Sequence, residues 1–396
     1  MESLTSDIAG DLRSLSTMAP LSLVGTARTI RAEAGKTLVI AGPASFELNE
    51  GEASVLGAPL DSARNIVPCG KQTPVEIHSL SSFRVCLGED AGVEVLDGST
   101  IPLSWREAGS ALVELGEGVA VVVGGADTGK TTLCTFLSNY LIAENRHVAV
   151  VDADIGQTDL GPPTTMAAGE VKARVTSLSQ VIPSERLFIG LTSPGRAIGK
   201  VIRSVKRLVG YHTTPGRIAI VNTDGWVSGS EAVLYKLQML DELQPDITLG
   251  IGGSDISPIL QAGNRTALLV GSPDTIKERS RLDRRELRSL GYQKYLAGAS
   301  LRTFRMNGTR LRHYTTMGHL GLDRVSRSWV ENLKDTVVGL LDADDLLQEI
   351  GVLKDIVPSA RMVKIWSRIP NLPAKIEVGD VKLNNDGREL GHLGQQ

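Results

Sequence analysis

The sequence predicts an α/β protein in which a central, doubly wound domain is flanked by an amino-terminal all-β domain and a small carboxyl-terminal α/β domain. From about residue 104 to residue 302, strongly apolar runs alternate with helical stretches, as is typical of parallel strands covered on both faces. Before this region, short β-type runs are broken by glycine, proline, asparagine and aspartate. A chain of 396 residues also exceeds one ordinary hydrophobic core, so we expect several domains.

The amino-terminal domain, predicted over residues 1–103, has the pattern of a small all-β domain. Its candidate strands are KTLVIAGPASFEL, EASVLGAPL, VEIHSL and FRVCLGEDAGVEVL. The central domain, predicted over residues 104–302, has the candidate strands VAVVVGG, HVAVVDAD, RLFIGLT, RIAIVNTDG, ITLGIGG and TALLVGS. Residues 303–396 again mix short strands with one helix, which predicts the third, smaller domain.

Composition disfavours a membrane protein and a strongly basic protein. The net charge is -3, so a polyanionic partner would have to meet a local basic patch. Three cysteines, Cys69, Cys86 and Cys134, lack the spacing of a zinc site or a disulfide framework. No apolar run approaches the roughly 20 residues of a membrane span, and the polar first 18 residues do not resemble a secretory leader. We therefore expect a cytoplasmic protein with no membrane partner.

A phosphate-binding loop, or P-loop, lies between the first strand of the central domain and the next helix. Gly124, four residues and then Gly129-Lys130-Thr131 fit the pattern G-x-x-x-x-G-K-[ST]. Glycines let backbone N–H groups surround phosphate oxygens, and a helix amino terminus attracts negative charge. The predicted nucleotide-binding residues are Gly124, Gly125, Ala126, Asp127, Thr128, Gly129, Lys130, Thr131 and Thr132. Nucleotide binding alone does not distinguish switches, motors, ligases and kinases.

Two acids end the second strand of the central domain, in VVDADIGQTDLGPP. Because parallel strands end at one edge of a sheet, Asp152 and Asp154 should lie beside the bound phosphates. One acid could hold Mg²⁺ together with the Thr131 hydroxyl, and the other could accept a proton from an attacking hydroxyl. Alternatively, one of them only caps the following turn. Gln157 could position a water molecule or a phosphate oxygen, or it could be an exposed turn residue.

Two further strand ends carry candidate substrate-binding residues. The turn formed by Thr192, Ser193, Pro194 and Gly195 exposes a hydroxyl and backbone amides at the same edge of the sheet. The next strand delivers Trp226, in a polar loop of a chain with only 4% aromatic residues. A base stacked on this ring would contribute about 1–3 kcal/mol; packing of the ring against a neighbouring helix is the alternative.

Two groups of basic residues follow helical spacing. The first, Arg196, Lys200, Arg203 and Arg207, would share one helix face, either as a solvated surface or as a contact to a polynucleotide backbone. The second lies in KERSRLDRRELRSLGYQKYLAG, where Ser280 would cap a helix with Asp283 at the capping-box position. Arg279 would precede this helix, and one arc of it would carry Arg281, Arg284, Arg285 and Arg288. These cations could stabilise the transition state of phosphoryl transfer, or they could form salt bridges on a surface helix.

Together these motifs resemble the polynucleotide 5'-hydroxyl kinases that include the eukaryotic pre-mRNA cleavage and tRNA-splicing RNA kinase, and more closely their compact archaeal relatives. The resemblance covers nearly the whole chain: VIAGPASFEL, GSTIPLSW, GGADTGKTT, DADIGQ, TSPG, NTDGW, ERSRLDRRELR, and VGLLDADD with EIGVL. Two departures stand out. Gly125 replaces a proline found in many members. YQKYLAG replaces an aromatic pair that follows the lid, the family's arginine-bearing segment matched here by ERSRLDRRELR.

The resemblance implies a role for each motif, and it implies the same three-domain fold with a β-sandwich-like amino-terminal domain. Lys130 and Thr131 match the phosphate-loop lysine and the metal-binding hydroxyl. Asp152 and Asp154 match two acids, of which we assign Asp152 to the metal and Asp154 to proton acceptance. The turn from Thr192 to Gly195 matches a clasp for the terminal nucleotide, and Trp226 matches a base-stacking residue. Arg279 and Arg284 match the catalytic arginines of a lid, and we add Gln157 and Arg288 to the substrate-binding residues.

The sequence therefore predicts an ATP-dependent, Mg²⁺-dependent kinase that phosphorylates the 5'-hydroxyl of single-stranded RNA, with DNA as a second candidate acceptor, in RNA processing or repair. The alternative is an ATP-bound scaffold of an RNA-processing complex without turnover. The presence of Lys130, both acids and both lid arginines favours the enzyme. A GTP-dependent switch is disfavoured because NTDG lacks the lysine of an N-K-x-D guanine motif.

Overall fold

The computed structural model describes residues 27–262, 265–276, 278–306, 310–313, 316–319 and 327–393. The described residues up to Val55, together with Pro59–Ser99, form one compact unit, and Leu56–Ala58 with the residues from Thr100 onward form the other. The predicted boundary after residue 103 lies close to the end of the first unit. The predicted domain boundary at residue 302, inside the second unit, stays a prediction. The expectation that the first 18 residues are not a secretory leader concerns residues outside those described.

The first unit is all-β, as predicted. Its strands are β1 (Ala27–Ala32), β2 (Lys36–Ala41), β3 (Ala44–Glu50), β4 (Ala53–Val55), β5 (Ala58–Pro59), β6 (Asn65–Val67), β7 (Gln72–Ile77), β8 (Ser81–Leu87) and β9 (Gly92–Asp97). They form a four-stranded sheet in the order β1-β8-β3-β6 and a five-stranded sheet in the order β5-β4-β7-β2-β9. Leu38, Ile40, Phe46 and Phe83 are fully buried and supply the large side chains of its core.

The second unit contains a seven-stranded sheet that positions the candidate site. Its strands are β10 (Gly118–Gly124), β11 (His147–Ala153), β12 (Thr165–Val171), β13 (Glu185–Phe188), β14 (Arg217–Thr223), β15 (Ile247–Ile251) and β16 (Ala267–Val270), in the order β13-β12-β11-β14-β10-β15-β16. The five strands β11, β14, β10, β15 and β16 pair in parallel. Their carboxyl ends therefore meet at one edge of the sheet, which is where the predicted motifs lie.

Strand β12 was missed by the sequence analysis, and it makes the sheet mixed. It pairs antiparallel with both β11 and β13, so the sheet is parallel only from β11 to β16. Its sequence, TMAAGEV, contains two alanines and a glycine, which carry little strand preference. Burial on the sheet, rather than local preference, explains this strand.

The helices of the second unit pack on its sheets and connect their strands. They are α1 (Leu103–Leu115), α2 (Lys130–Ala143), α3 (Ile198–His212), α4 (Ser230–Leu243), α5 (Ser257–Leu260), α6 (Arg281–Leu296) and α7 (Arg327–Leu333). Helix α3 illustrates the cause of the packing, because Val201, Val205 and Leu208 recur at helical spacing and are all fully buried. None of the described helices is long and apolar enough to cross a membrane.

A second sheet occupies the carboxyl-terminal part of this unit. Its strands are β17 (Ser300–Arg305), β18 (Arg310–His313), β19 (Thr316–His319), β20 (Thr336–Leu341), β21 (Leu347–Val357), β22 (Met362–Ser367), β23 (Lys375–Leu383) and β24 (Glu389–His392). The order is β17-β22-β21-β20-β23-β18-β19, and β24 pairs with β23. Tyr292 and Leu296 of α6 pack into a buried cluster with Phe188, Val337 and Leu341. The segment YQKYLAG, a departure from the family pattern, therefore anchors α6 through a buried tyrosine.

The three cysteines Cys69, Cys86 and Cys134 form no disulfide with one another. The cytoplasmic location stays a prediction.

Candidate functional site

The P-loop connects β10 to α2, at the carboxyl edge of the central sheet. Gly129 has φ 97° and Asp127 has φ 55°, so the loop uses left-handed backbone at two positions. A Cβ atom at Gly124 would lie 2.4 Å from the Ile251 carbonyl oxygen, so only glycine fits there. Lys130 begins α2 and is 5% exposed, and its ammonium donates to the Gly125 carbonyl oxygen at 2.6 Å. The lysine therefore lies across the loop that would hold the phosphates.

Asp152 lies at the end of β11 and is completely buried. Its Oδ2 accepts hydrogen bonds from the Thr158 hydroxyl at 2.9 Å and from the Asp159 N–H at 2.7 Å. Its Oδ1 accepts from the Asn222 amide at 3.0 Å. Burial raises the pKa of Asp152 to about 6, and the charges of Asp159 and Asp154 act in the same direction. Both oxygens of Asp152 are thus engaged by protein donors that hold the following loop.

Asn222, which the sequence analysis missed, links Asp152 to the P-loop. The parallel register of β11 and β14 sets Asp152 beside Asn222. The Asn222 amide nitrogen also lies 3.3 Å from the Thr131 hydroxyl, and it donates to both groups. The Asn222 Oδ1 is buried and has no hydrogen-bond partner among the described residues. The strand pairing, rather than any motif, was the signal that could have identified this residue.

The groups at the end of β11 include donors that suit a hard divalent cation. Thr131 and Asp152 offer hydroxyl and carboxylate oxygens, which Mg²⁺ prefers. Both oxygens accept from the Asn222 amide nitrogen, so the Asn222 Oδ1 does not face them. Within the described parts of the chain, no three His, Cys, Asp or Glu residues are grouped as a metal cage. Mg²⁺ at phosphate sites is usually held by one or two protein groups, with water and phosphate completing the shell. Thr131 and Asp152 therefore fit the metal in donor type, and the metal site stays a prediction.

Asp154 differs from Asp152 in that only one of its carboxylate oxygens is engaged. Its Oδ1 accepts from the N–H groups of Gly156 at 3.2 Å and Gln157 at 3.1 Å. Its Oδ2 accepts no hydrogen bond from the residues described. Burial raises the pKa of Asp154, and the nearby ammonium of Lys130 opposes the shift. Asp154 therefore combines a fixed orientation with one oxygen that remains able to accept a proton.

Trp226 lies in the loop after β14, on a buried polar cluster. The Asp224 carboxylate accepts from the Trp226 N–H at 3.0 Å, from the Tyr235 hydroxyl at 2.7 Å and from the Lys236 ammonium at 3.0 Å. Lys236 is fully buried. The Trp226 ring stacks on Tyr235, with centroids 5.7 Å apart and planes at 27°. The sequence analysis missed Tyr235 and Lys236, although a lysine inside the apolar helix sequence AVLYKLQML was a usable signal.

The turn from Thr192 to Gly195 lies directly beside Trp226. A Cβ atom at Gly195 would lie 3.6 Å from the Trp226 ring. A Cβ atom at Gly156 would lie 2.7 Å from the Thr192 carbonyl oxygen, so the DADIGQ loop also approaches this turn closely. The structure therefore brings together three segments that the sequence assigned separately to the substrate: the turn, the tryptophan and the acidic loop.

The lid arginines lie at the P-loop. Ser280 caps α6 with Asp283 in a full capping box, as predicted. Arg284 Nη2 donates to Asp127 Oδ2 at 2.6 Å, and the Arg279 N–H donates to the same oxygen at 3.0 Å. Gln157 contacts both arginines: its Oε1 accepts from Arg279 Nη1 at 3.5 Å, and its Nε2 donates to the Arg284 carbonyl at 3.3 Å. Gln157 is therefore a contact to the lid rather than an exposed turn residue.

Arg288 has a different place from the one expected of a substrate-binding residue. Its guanidinium forms a two-point ion pair with Glu389 of β24, with N···O distances of 2.6 and 2.8 Å. Neighbouring Arg285 donates to the Glu389 carbonyl at 2.6 and 2.9 Å. Both contacts are with β24, so they anchor α6 to the carboxyl-terminal sheet. We assign Arg288 to this anchoring, and a part in substrate binding stays a prediction.

The predicted basic stripe begins at Arg196, just before α3, and it is not simply a solvated face. Its contact to a polynucleotide stays a prediction. Arg196 pairs with the buried Asp380 and Lys200 pairs with Glu377, both on β23. Arg207 donates to the Asp344 carbonyl oxygen at 2.6 Å. Helical spacing correctly indicated one shared face, but it could not show that acidic residues more than 130 positions later cover that face.

Comparisons with known proteins show what this site is similar to. Residues 124–298 match the family described as mRNA cleavage and polyadenylation factor CLP1 P-loop. The polyribonucleotide 5'-hydroxyl-kinase of Pyrococcus horikoshii is 24% identical over 321 residues, which are 70% of this chain and 89% of that protein. Its counterpart of Thermococcus kodakarensis is 28% identical over 320 residues, with 69% and 90% coverage. Clp1 of Danio rerio is 26% identical over 278 residues, with 64% and 62% coverage.

The fold is also that of a solved protein. The structure of a wild-type Clp1p–Pcf11p complex contains a chain that aligns with a TM-score of 0.69 at 13% identity, covering 90% of this chain and 98% of that one. This similarity confirms the fold. The sequence relatives confirm the resemblance inferred from the motifs.

Proposed function

We propose that this chain, whose residues 124–298 belong to the CLP1 P-loop family, transfers the γ-phosphate of ATP to the 5'-hydroxyl of single-stranded RNA. The chain is a polynucleotide 5'-hydroxyl kinase, and its P-loop is an ATP-binding element. Beyond the kinase activity and ATP binding, we propose the roles of the site residues, the metal and the preference for single strands.

One observation supports the proposed chemistry most directly. Phosphoryl transfer needs a phosphate cradle, a proton acceptor and cations at the transferred group, and all three lie at one edge of the central sheet. Lys130 lies across the cradle, Asp154 keeps one oxygen unengaged, and Arg284 contacts Asp127 within the cradle. A protein that only bound ATP would need the first of these features but neither of the others.

In the proposed reaction, the backbone amides of the P-loop and the Lys130 ammonium bind the phosphates of ATP. Asp154 accepts the proton of the RNA 5'-hydroxyl while the hydroxyl oxygen forms a bond to the γ-phosphorus. At the same time the bond between the γ-phosphorus and the β,γ-bridging oxygen breaks. The lid arginines Arg279 and Arg284 stabilise the charge that develops on the transferred group and on the departing ADP. Thr131 would hold Mg²⁺, and Asn222 and Asp152 would support the site through their hydrogen bonds next to Thr131. The ion would neutralise phosphate charge.

The residues predicted to bind the phosphate acceptor support a single-stranded polynucleotide as that acceptor. Trp226 and the turn from Thr192 to Gly195 lie together, so a terminal base on the indole would leave its sugar beside the turn and near Asp154. Stacking on an aromatic ring requires an unpaired base and tolerates every base type. We therefore propose single-stranded RNA as the main acceptor and single-stranded DNA as a second one.

A panel of acceptors tests this proposal. The purified chain is incubated with γ-labelled ATP, with and without a chelator of Mg²⁺, and with 5'-hydroxyl oligonucleotides of RNA or DNA, single- or double-stranded. We expect labelling of single-stranded RNA, weaker labelling of blunt duplexes and none with the chelator. Tight ATP binding without labelling of any acceptor would instead support the scaffold alternative.

A further inference from the structure

Asp127 is the only residue of the P-loop, from Gly124 to Thr132, for which the structure records an ion pair. Its carboxylate is 8% exposed and contacts both lid arginines. Oδ2 accepts from Arg284 Nη2 at 2.6 Å and from the Arg279 backbone N–H at 3.0 Å. Oδ1 lies 3.7 Å from Arg279 Nε. One carboxylate therefore joins the loop that binds phosphate to both cations of the lid.

The contact to the Arg279 backbone fixes where the lid helix begins. Arg279 directly precedes Ser280, whose hydroxyl caps α6. A bond to the backbone N–H sets the position of the main chain, which a bond to the guanidinium alone would not do. Asp127 itself has φ 55°, a conformation that aspartate and asparagine tolerate better than most residues. The hydrogen bond therefore fixes the backbone at Arg279, and the left-handed conformation fixes the backbone at Asp127.

The Asp127 carboxylate reduces the electrostatic repulsion between the lid and the P-loop. Without it, two guanidinium groups would lie at the P-loop, near the positive amino-terminal end of α2, and these like charges would repel the lid. Burial raises the pKa of Asp127, but the hydrogen bond from Arg284, the Arg279 N–H and the charges of both arginines outweigh it, so the pKa lies below the ordinary value. Asp127 is therefore ionised at neutral pH.

We propose that Asp127 is a positioning residue that aims Arg279 and Arg284 at the transferred phosphoryl group. Arg284 gives one of its five N–H donors to Asp127, so four remain for phosphoryl oxygens. Gln157 supports the same arrangement from the other side, since it contacts both arginines. The inference rests on the proposed function, because it assigns the task of Asp127 in that reaction.

The opposite reading is that Asp127 inhibits the enzyme by competing with the phosphate for the arginines. In that case its removal would free the lid and raise the rate. The bond to the Arg279 backbone N–H argues against this reading, because a competitor for the guanidinium charge would have no use for the main chain.

The test measures kcat and the dissociation constant of ATP for the wild type, Asp127→Asn, Arg284→Ala and the double variant. The control is Asp241→Asn, which removes a carboxylate paired with Arg265 on the surface of the same unit. We expect Asp127→Asn to lower kcat about tenfold or more with ATP affinity nearly unchanged, and Asp241→Asn to change neither. In the Arg284→Ala background, the effect of Asp127→Asn should be smaller, because only the contacts to Arg279 remain to be lost. An equal loss in both backgrounds, or a faster Asp127→Asn enzyme, overturns the inference.

A second measurement requires no turnover. Limited trypsin digestion followed by mass spectrometry reports cleavage at the lid arginines. We expect faster cleavage after Arg279 and Arg284 in Asp127→Asn than in the wild type and Asp241→Asn, at equal thermal stability. Unchanged cleavage would contradict the positioning role. A wild type that binds ATP but does not phosphorylate RNA would instead contradict the proposed function, so the two failures are distinct.

Discussion

The indole ring of Trp226 stacks on the phenol ring of Tyr235, with centroids 5.7 Å apart. The phenol in turn donates to Asp224, which accepts from the Trp226 backbone N–H. One face of the indole is therefore supported by a buried residue, and the loop that carries it is fixed by a buried carboxylate. This arrangement combines the two alternatives left by the sequence, because the ring packs on a helix and still lies beside the turn at Gly195.

If a terminal base stacks on the indole, Trp226→Ala should weaken oligonucleotide binding by about 1–3 kcal/mol, roughly tenfold or more in affinity. ATP affinity should change little, and the loss should be similar for all four terminal bases. Trp226→Phe should recover much of the loss, since the ring face is retained. Fluorescence anisotropy with labelled oligonucleotides and ATP titrations on the same preparations measure both affinities. A folded Trp226→Ala protein with unchanged oligonucleotide affinity would exclude stacking.

The two acids should separate cleanly on substitution with asparagine. Asp154→Asn should abolish transfer and leave ATP affinity and stability nearly unchanged, because only one of its oxygens is engaged. Asp152→Asn should lower the free energy of unfolding by about 1–3 kcal/mol, since an amide NH₂ would face the donors that now bind the carboxylate. Urea unfolding and single-turnover transfer measure the two effects. A stable Asp152→Asn protein together with an unstable Asp154→Asn protein would reverse these assignments.

Loss of either lid arginine should slow chemistry far more than it weakens binding. Arg279→Ala and Arg284→Ala should each lower kcat about a hundredfold or more, because their charge is needed mainly as the phosphoryl group moves. The dissociation constant of ATP should rise only slightly. Lysine at the same positions should restore part of the rate, since it retains the charge but not the planar donor group. If kcat and ATP affinity fall by equal factors, the arginines are ordinary ground-state ligands.

The ion pair between Arg288 and Glu389 should be a stability determinant of the lid. Their side chains are 14% and 3% exposed, so removing one partner leaves a largely buried charge. Glu389→Gln should therefore lower the free energy of unfolding by about 3–5 kcal/mol. The double variant Arg288→Met with Glu389→Gln removes both charges and should be more stable than Glu389→Gln alone. A Glu389→Gln protein as stable as the wild type would show that the pair contributes nothing to anchoring.

The sequence predicted those parts of the site that are continuous in the chain. The P-loop, the acids Asp152 and Asp154, Trp226 and the capped lid helix each depend on a few neighbouring residues. Parallel strands end at one edge of a sheet, which is why the convergence of these motifs was also predictable.

What the sequence could not supply were contacts between distant segments. Asn222 is recognisable only from the register of β11 and β14, and Glu389 only from the strand that receives α6. The acidic partners of the stripe at α3 could not be predicted for the same reason, since periodicity defines a helix face but not the residues that cover it. Strand β12 was missed because burial, rather than residue preference, holds it in the sheet.

The most direct test of the central claim is a single-turnover transfer assay with γ-labelled ATP and two RNAs that differ only in a 5'-hydroxyl or a 5'-phosphate end. The wild type and Asp154→Asn are compared at saturating ATP and Mg²⁺. The proposed function predicts label on the 5'-hydroxyl RNA alone, released by phosphatase, and only with the wild type. A wild type that binds ATP and leaves both RNAs unlabelled would contradict it, as would equal labelling by Asp154→Asn.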